Sequence, residues 1–94
     1  MEDISNRDLT LWAIRAMQLF KEDMPHPLSD EDRILIAESV AITTAKQAKR
    51  LNMSWKEVVR WLQNNYGKVW VIESGLRPGM DLKDISQIME KIYQ

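Results

Sequence analysis

Residues 44–63 read TAKQAKRLNMSWKEVVRWLQ, and the fold turns on how the chain bends at LNMS. Ala45, Ala48 and Leu51 recur at the three- and four-residue spacing of one helix face. Asn52 interrupts that stripe, and it is one of the few non-glycine residues that accept a left-handed backbone. Ser54 and Glu57 then stand three apart, the spacing of a capping box. The hydroxyl accepts the third helical N–H, and the carboxylate reaches back to the N–H of the cap. The stretch therefore predicts a helix ending at 51, a turn at Asn52, and a new helix over 55–66 with Gly67 as its stop.

Upstream, no Gly or Pro appears from Ser29 to Leu51. Ile34, Ala37, Ala41, Ala45, Ala48 and Leu51 hold one stripe, and Ile42, Thr43 and Thr44 lower helix propensity by only a few tenths of a kcal/mol each. The segment is either one helix over 29–51, which this propensity favours, or two helices broken near AITT; Ser29 and the acids Asp30, Glu31 and Asp32 open it. Small alanines on its stripe imply close packing. The segment MPHPLSD separates it from an earlier helix over 5–22, whose face is Leu9, Trp12, Ala13, Ala16, Met17 and Phe20 and whose cap is Ser5 or Asn6.

Downstream, KVWVIE is β-branched and aromatic, and reads as a short strand over 68–73 or an extended arm. SGLRPGMD is a turn. Asp81 caps a last helix with the stripe Leu82, Ile85, Ile88, Met89 and Ile92. The fold class is all-α: one domain, residues 1–94, built as a small bundle of four to five helices.

Ninety-four residues, 45% hydrophobic and 29% charged, suit one soluble core. The longest apolar runs are four residues, as in Val69-Trp70-Val71-Ile72, whereas a membrane helix needs about twenty. The N-terminal MEDISNRD lacks the pattern of a secretory signal. With no cysteine, disulfides and thiolate chemistry are excluded, and a cytoplasmic location is expected. A single histidine, His26, rules out a two-histidine metal site within one chain; between two prolines it reads as a linker residue. Four tryptophans spread over three elements read as packing rather than as a platform for bases. No G-x-S-x-G elbow and no glycine-rich phosphate loop occurs, so neither an enzyme nor a cofactor is expected.

Net charge is −1, but it is unevenly placed. Residues 1–39 carry nine acids and four bases. Residues 40–68 carry six bases, Lys46, Lys49, Arg50, Lys56, Arg60 and Lys68, against the single acid Glu57. A basic middle between acidic flanks is the pattern of a local anion-binding face.

Residues 44–63 resemble the helix-turn-helix unit of bacterial and phage DNA-binding regulators. Ala48 matches the small residue of its first helix, Asn52 the turn residue, Met53 the apolar residue after it, and Val58 and Trp61 the buried positions of the second helix. Asn52 stands where glycine is usual, and Val59 falls where the family exposes a side chain to DNA. The resemblance implies a recognition helix over 55–66 and double-stranded DNA as partner, bound as a homodimer. Ser54, Lys56, Arg60, Gln63 and Asn64 are its base-facing set, and Lys46, Lys49, Arg50 and Lys68 its phosphate contacts. The C-terminal stripe and KVWVIE are the candidate dimer elements. A helix apolar over most of its circumference also fits an alternative, a protein-interaction module such as an adaptor, antitoxin-like partner or phage-encoded inhibitor.

Overall fold

The computed structural model describes residues 4–75 and 80–94, and these form four α-helices and one π-helical segment. The helices are α1 (Ile4–Asp23), α2 (Asp30–Arg50), α3 (Trp55–Tyr66) and α4 (Leu82–Tyr93). No strand occurs among the described residues. Helix α2 is unbroken and central, with α1 and α4 packed against it. Its start is a capping box in which Asp32 N–H donates to Ser29 Oγ and Ser29 N–H to the Asp32 carboxylate. Asp81 and Asp84 form the same device at α4. In the first helix Ser5 and Asn6 lie inside the opening turn, not at its cap, because α1 already begins at Ile4.

The alanine stripe explains why α1 and α4 can approach α2. Ala37, Ala41, Ala45 and Ala48 are all buried, and a side chain of one carbon lets neighbouring helix axes come close. Ile36 and Val40 complete the core-facing arc, whereas Ile34, expected on it, is 37% exposed. Thr44 lies in the same arc, fully buried, and its hydroxyl has no hydrogen-bond partner among the described residues.

Residues 67–73 depart most from the sequence reading. Gly67 does not stop α3: its backbone is right-handed helical, and the chain runs on as a π-helix over Gly67–Glu73. Strand propensity reflects fit to a pleated, half-buried surface, and tertiary burial overrides it here. The segment buries Val69 and Trp70, and leaves Val71 and Ile72 exposed. The Trp70 indole N–H donates to the Ala37 carbonyl of α2 at 3.2 Å. Its ring meets Trp61 edge-on at 6.2 Å and stacks on Tyr66 at 6.1 Å. Three aromatic residues of one rod thereby meet, and Trp70 ties them to α2. The turn expected over 74–81 includes residues 76–79, which lie outside the described set.

Two substitutions test this packing by urea denaturation. Ala45→Leu should destabilise by about 1–3 kcal/mol, since there is no room for three added carbons. Thr44→Val keeps the shape and removes a buried hydroxyl without a partner, so it should be neutral or stabilising by about 1 kcal/mol.

Candidate functional site

The bend at LNMS is built from two motifs set end to end. Met53 N–H donates to the Ala48 carbonyl, and Asn52 N–H to the Lys49 carbonyl, both at 3.0 Å. This is a Schellman closure, with Asn52 in the left-handed position at φ 59°. Met53 is buried, as the apolar residue after such a turn should be. Ser54 then starts α3: its N–H donates to Glu57 Oε1 at 2.9 Å, and Glu57 N–H donates to its hydroxyl at 3.2 Å. Four residues, Leu51 to Ser54, thus end one helix and begin the next with all four of their backbone N–H groups bonded.

A second element braces the bend from outside. The Tyr93 hydroxyl, at the end of α4, donates to the Met53 carbonyl at 2.8 Å. Its ring packs on Trp55 at 5.4 Å. Lys49 closes over the same ring, with Nζ 5.6 Å from the centroid and donating to the Ile92 carbonyl at 3.2 Å. A cation suits that place, where the last carbonyls of a helix carry partial negative charge.

Helix α3 buries Val58, Trp61 and Leu62. Trp61 finds its named partners away from α2: its indole N–H donates to Thr10 Oγ1 of α1 at 2.9 Å, and its ring meets Trp70. Helix α3 leans on α4 and the π-helical segment rather than lying along α2.

At 100° per residue, Lys56, Arg60 and Gln63 fall opposite the buried face, one turn apart along a single outward line. All three are exposed, and Asn64 lies exposed beside them. Val59 is rotated off that line. It is half-buried and lines a shallow cleft with Leu62, Gln63 and, from α4 and its cap, Asp81, Leu82, Lys83, Ser86 and Gln87. The covered flank of α3 is therefore the one carrying Trp55 and Val59, and the covering helix belongs to the same chain.

All nine expected site residues, Lys46, Lys49, Arg50, Ser54, Lys56, Arg60, Gln63, Asn64 and Lys68, are exposed. Lys46 and Arg50 share a face near the end of α2, and Lys68 sits on the π-helical segment. Arg50 donates to the Gln47 side chain at 3.2 Å. Lys49 is held by α4, and Ser54 is held as a cap. The side chains of Lys46, Lys56, Arg60, Gln63, Asn64 and Lys68 make no hydrogen bond or ion pair among the described residues, where Arg33–Asp30 is the one ion pair present.

The expected dimer elements are largely consumed within the chain. Ile85 and Met89 of the C-terminal stripe are fully buried, as are Val69 and Trp70 of KVWVIE. Conversely, Trp12, placed in the core by its spacing, is 38% exposed on α1. Among the described residues no helix is long and apolar enough to cross a membrane, and no group of His, Cys, Asp or Glu is clustered for a metal. The chain matches no protein-family model, no curated protein and no solved structure.

Burial pushes the Tyr93 phenol above its ordinary range, and the Glu57 carboxylate adds to this. Burial does the same for Tyr66, with Asp81 and Asp84 contributing and its hydroxyl donating to the Met80 carbonyl. A phenol whose folded-state pKa is raised contributes stability that is complete below its unfolded value and lost as pH rises through the folded one. Phenolate absorbance of the folded chain should therefore appear above about pH 10, the ordinary tyrosine value, and return to it in denaturant. Coincident folded and denatured curves would contradict the burial. At the bend, Asn52→Ala should cost about 1 kcal/mol for its left-handed backbone, and Asn52→Gly should be near neutral in the same urea assay.

Proposed function

We propose that this chain is a small DNA-binding regulator of the cytoplasm that acts as a dimer and presents α3 as its recognition helix. The observation that carries the reading is the outward line of Lys56, Arg60 and Gln63, exposed and free of carboxylate partners among the described residues. It follows a bend at Asn52 whose residue pattern resembles the helix-turn-helix unit, although Trp61 finds its partners on α1 and the π-helical segment rather than on α2.

Each side chain has a role in this reading. Arg60 bridges guanine O6 and N7. Gln63 or Asn64 pairs with adenine N6 and N7, each such contact being worth roughly 1–3 kcal/mol of discrimination. Lys46, Arg50 and Lys68 meet phosphates, and the charge of base-facing Lys56 adds to theirs, which fixes register and makes affinity fall with salt. Lys49 joins them only by leaving the α4 terminus. Symmetric use of two copies predicts half-sites about one helical turn apart.

A second reading, a protein-interaction module without DNA binding, is favoured by one specific observation. Ile4, Leu11 and Leu19 of α1 are more than half exposed, and apolar side chains grouped on one helix commonly mark a contact surface.

Titration of a labelled random duplex by fluorescence anisotropy separates the two. About four or five cationic contacts per chain imply a log–log salt slope near −4 for each chain bound, so affinity should fall by about a hundredfold or more per chain from low to physiological salt. Lys56→Ala and Lys46→Ala should each flatten the slope by about one. Binding that is absent, or indifferent to salt and to both substitutions, would overturn the DNA reading in favour of the interaction module.

A further inference from the structure

We propose that the outer face of α1 binds a second copy of this chain, the two helices running antiparallel about a two-fold axis between Leu11 and Trp12. Helix α1 is apolar on two sides. Leu9, Ala13 and Met17 face the core. Ile4, Asp8, Leu11, Trp12, Arg15 and Leu19 fall, at 100° per residue, in a strip about 100° wide on the far side. All six are exposed, Ile4 at 74%, Leu11 at 60% and Leu19 at 51%. The strip spans about four turns, or roughly 22 Å.

Its order selects the occupant. About the point midway between 11 and 12, Ile4 mirrors Leu19, Asp8 mirrors Arg15, and Leu11 mirrors Trp12. An antiparallel copy therefore sets Ile4 on the partner's Leu19, Leu11 on the partner's Trp12, and Asp8 against the partner's Arg15, every pair occurring twice. Such self-complementarity is what a two-fold interface requires. A parallel copy would oppose acid to acid and base to base. Within one chain Asp8 and Arg15 lie two turns apart, about 10.5 Å along the axis, and neither has an ion pair among the described residues. Exposed charge pairs add little affinity, so Asp8 and Arg15 set orientation while the apolar contacts supply the driving force.

The strip continues into clefts between α1 and α2. One is lined by Asp8, Leu11, Trp12, Arg15, Gln47 and Leu51, and the next by Trp12, Leu19, Phe20 and Thr43 among others. These widen the surface a second helix would cover. An interface of this size lies at the low end for stable complexes, so association at micromolar concentration is expected. The inference is independent of the α3 reading, since it concerns another face and its test needs no DNA.

The full chain has no cysteine, so single-cysteine variants report geometry cleanly. Leu11→Cys lies beside the axis and should cross-link to itself rapidly under mild oxidation. Ile4→Cys, more exposed but about 22 Å from its own mate in the antiparallel pair, should not. Sedimentation equilibrium supplies the second arm. Asp8→Arg and Arg15→Asp should each weaken self-association about tenfold, and the double exchange should restore it. Far-UV circular dichroism checks that these exposed substitutions leave the fold intact. A wild-type chain that stays monomeric to about ten times the micromolar range expected of so small an interface would overturn the proposal. So would equal cross-linking at positions 4 and 11, or a double exchange that fails to rescue.

Discussion

Close approach along the alanine face of α2 is the constraint on which the structure depends. Ala37, Ala41, Ala45 and Ala48 are buried on the helix against which both α1 and α4 pack. Larger residues there would hold the outer helices apart and open the core. The carbonyl of Ala37 also receives the Trp70 indole, so the face that admits α1 and α4 also fixes the π-helical segment. Through Trp70 that segment holds Trp61 and Tyr66, and with them the orientation of α3.

Position and presentation of α3 are thus set from both ends. At its start Tyr93 bonds to Met53, stacks near Trp55, and lies under Lys49. At its far end the chain does not turn away at Gly67 but continues as a π-helix into the core. A rod fixed at two ends and buried along Val58, Trp61 and Leu62 presents one face outward, and that face carries Lys56, Arg60 and Gln63. The side chains proposed to act are therefore carried on a rigid element, which suits recognition of a surface as regular as a nucleic-acid groove.

Much of this was legible in the residues, because caps and turns are local chemistry. Ser29, Ser54 and Asp81 begin helices as their side chains predict, and Asn52 takes the positive φ that its type tolerates. Periodicity found four helices but left open whether the second breaks near AITT, and α2 runs unbroken. It failed where an answer depends on what lies across the core. KVWVIE has the residues of a strand, but Trp70 has a carbonyl and two aromatic neighbours to meet, and a π-helix brings it to them. Trp12 and Leu9 both fit a helical period, yet only Leu9 is fully buried, while Trp12 is 38% exposed; a helix apolar on two faces gives one blurred stripe. All nine expected site residues are exposed, but Lys49 has a partner at the α4 terminus that no local pattern announces.

Amide chemical-shift mapping on the folded chain, with a short duplex added at low salt, tests the central claim most directly. The account predicts that perturbations concentrate on the Asn52 bend and the outward residues of α3, from Ser54 to Asn64, with a weaker set at Lys46 and Arg50. A spectrum left unchanged by duplex, or changes gathered on α1 with α3 silent, would contradict it.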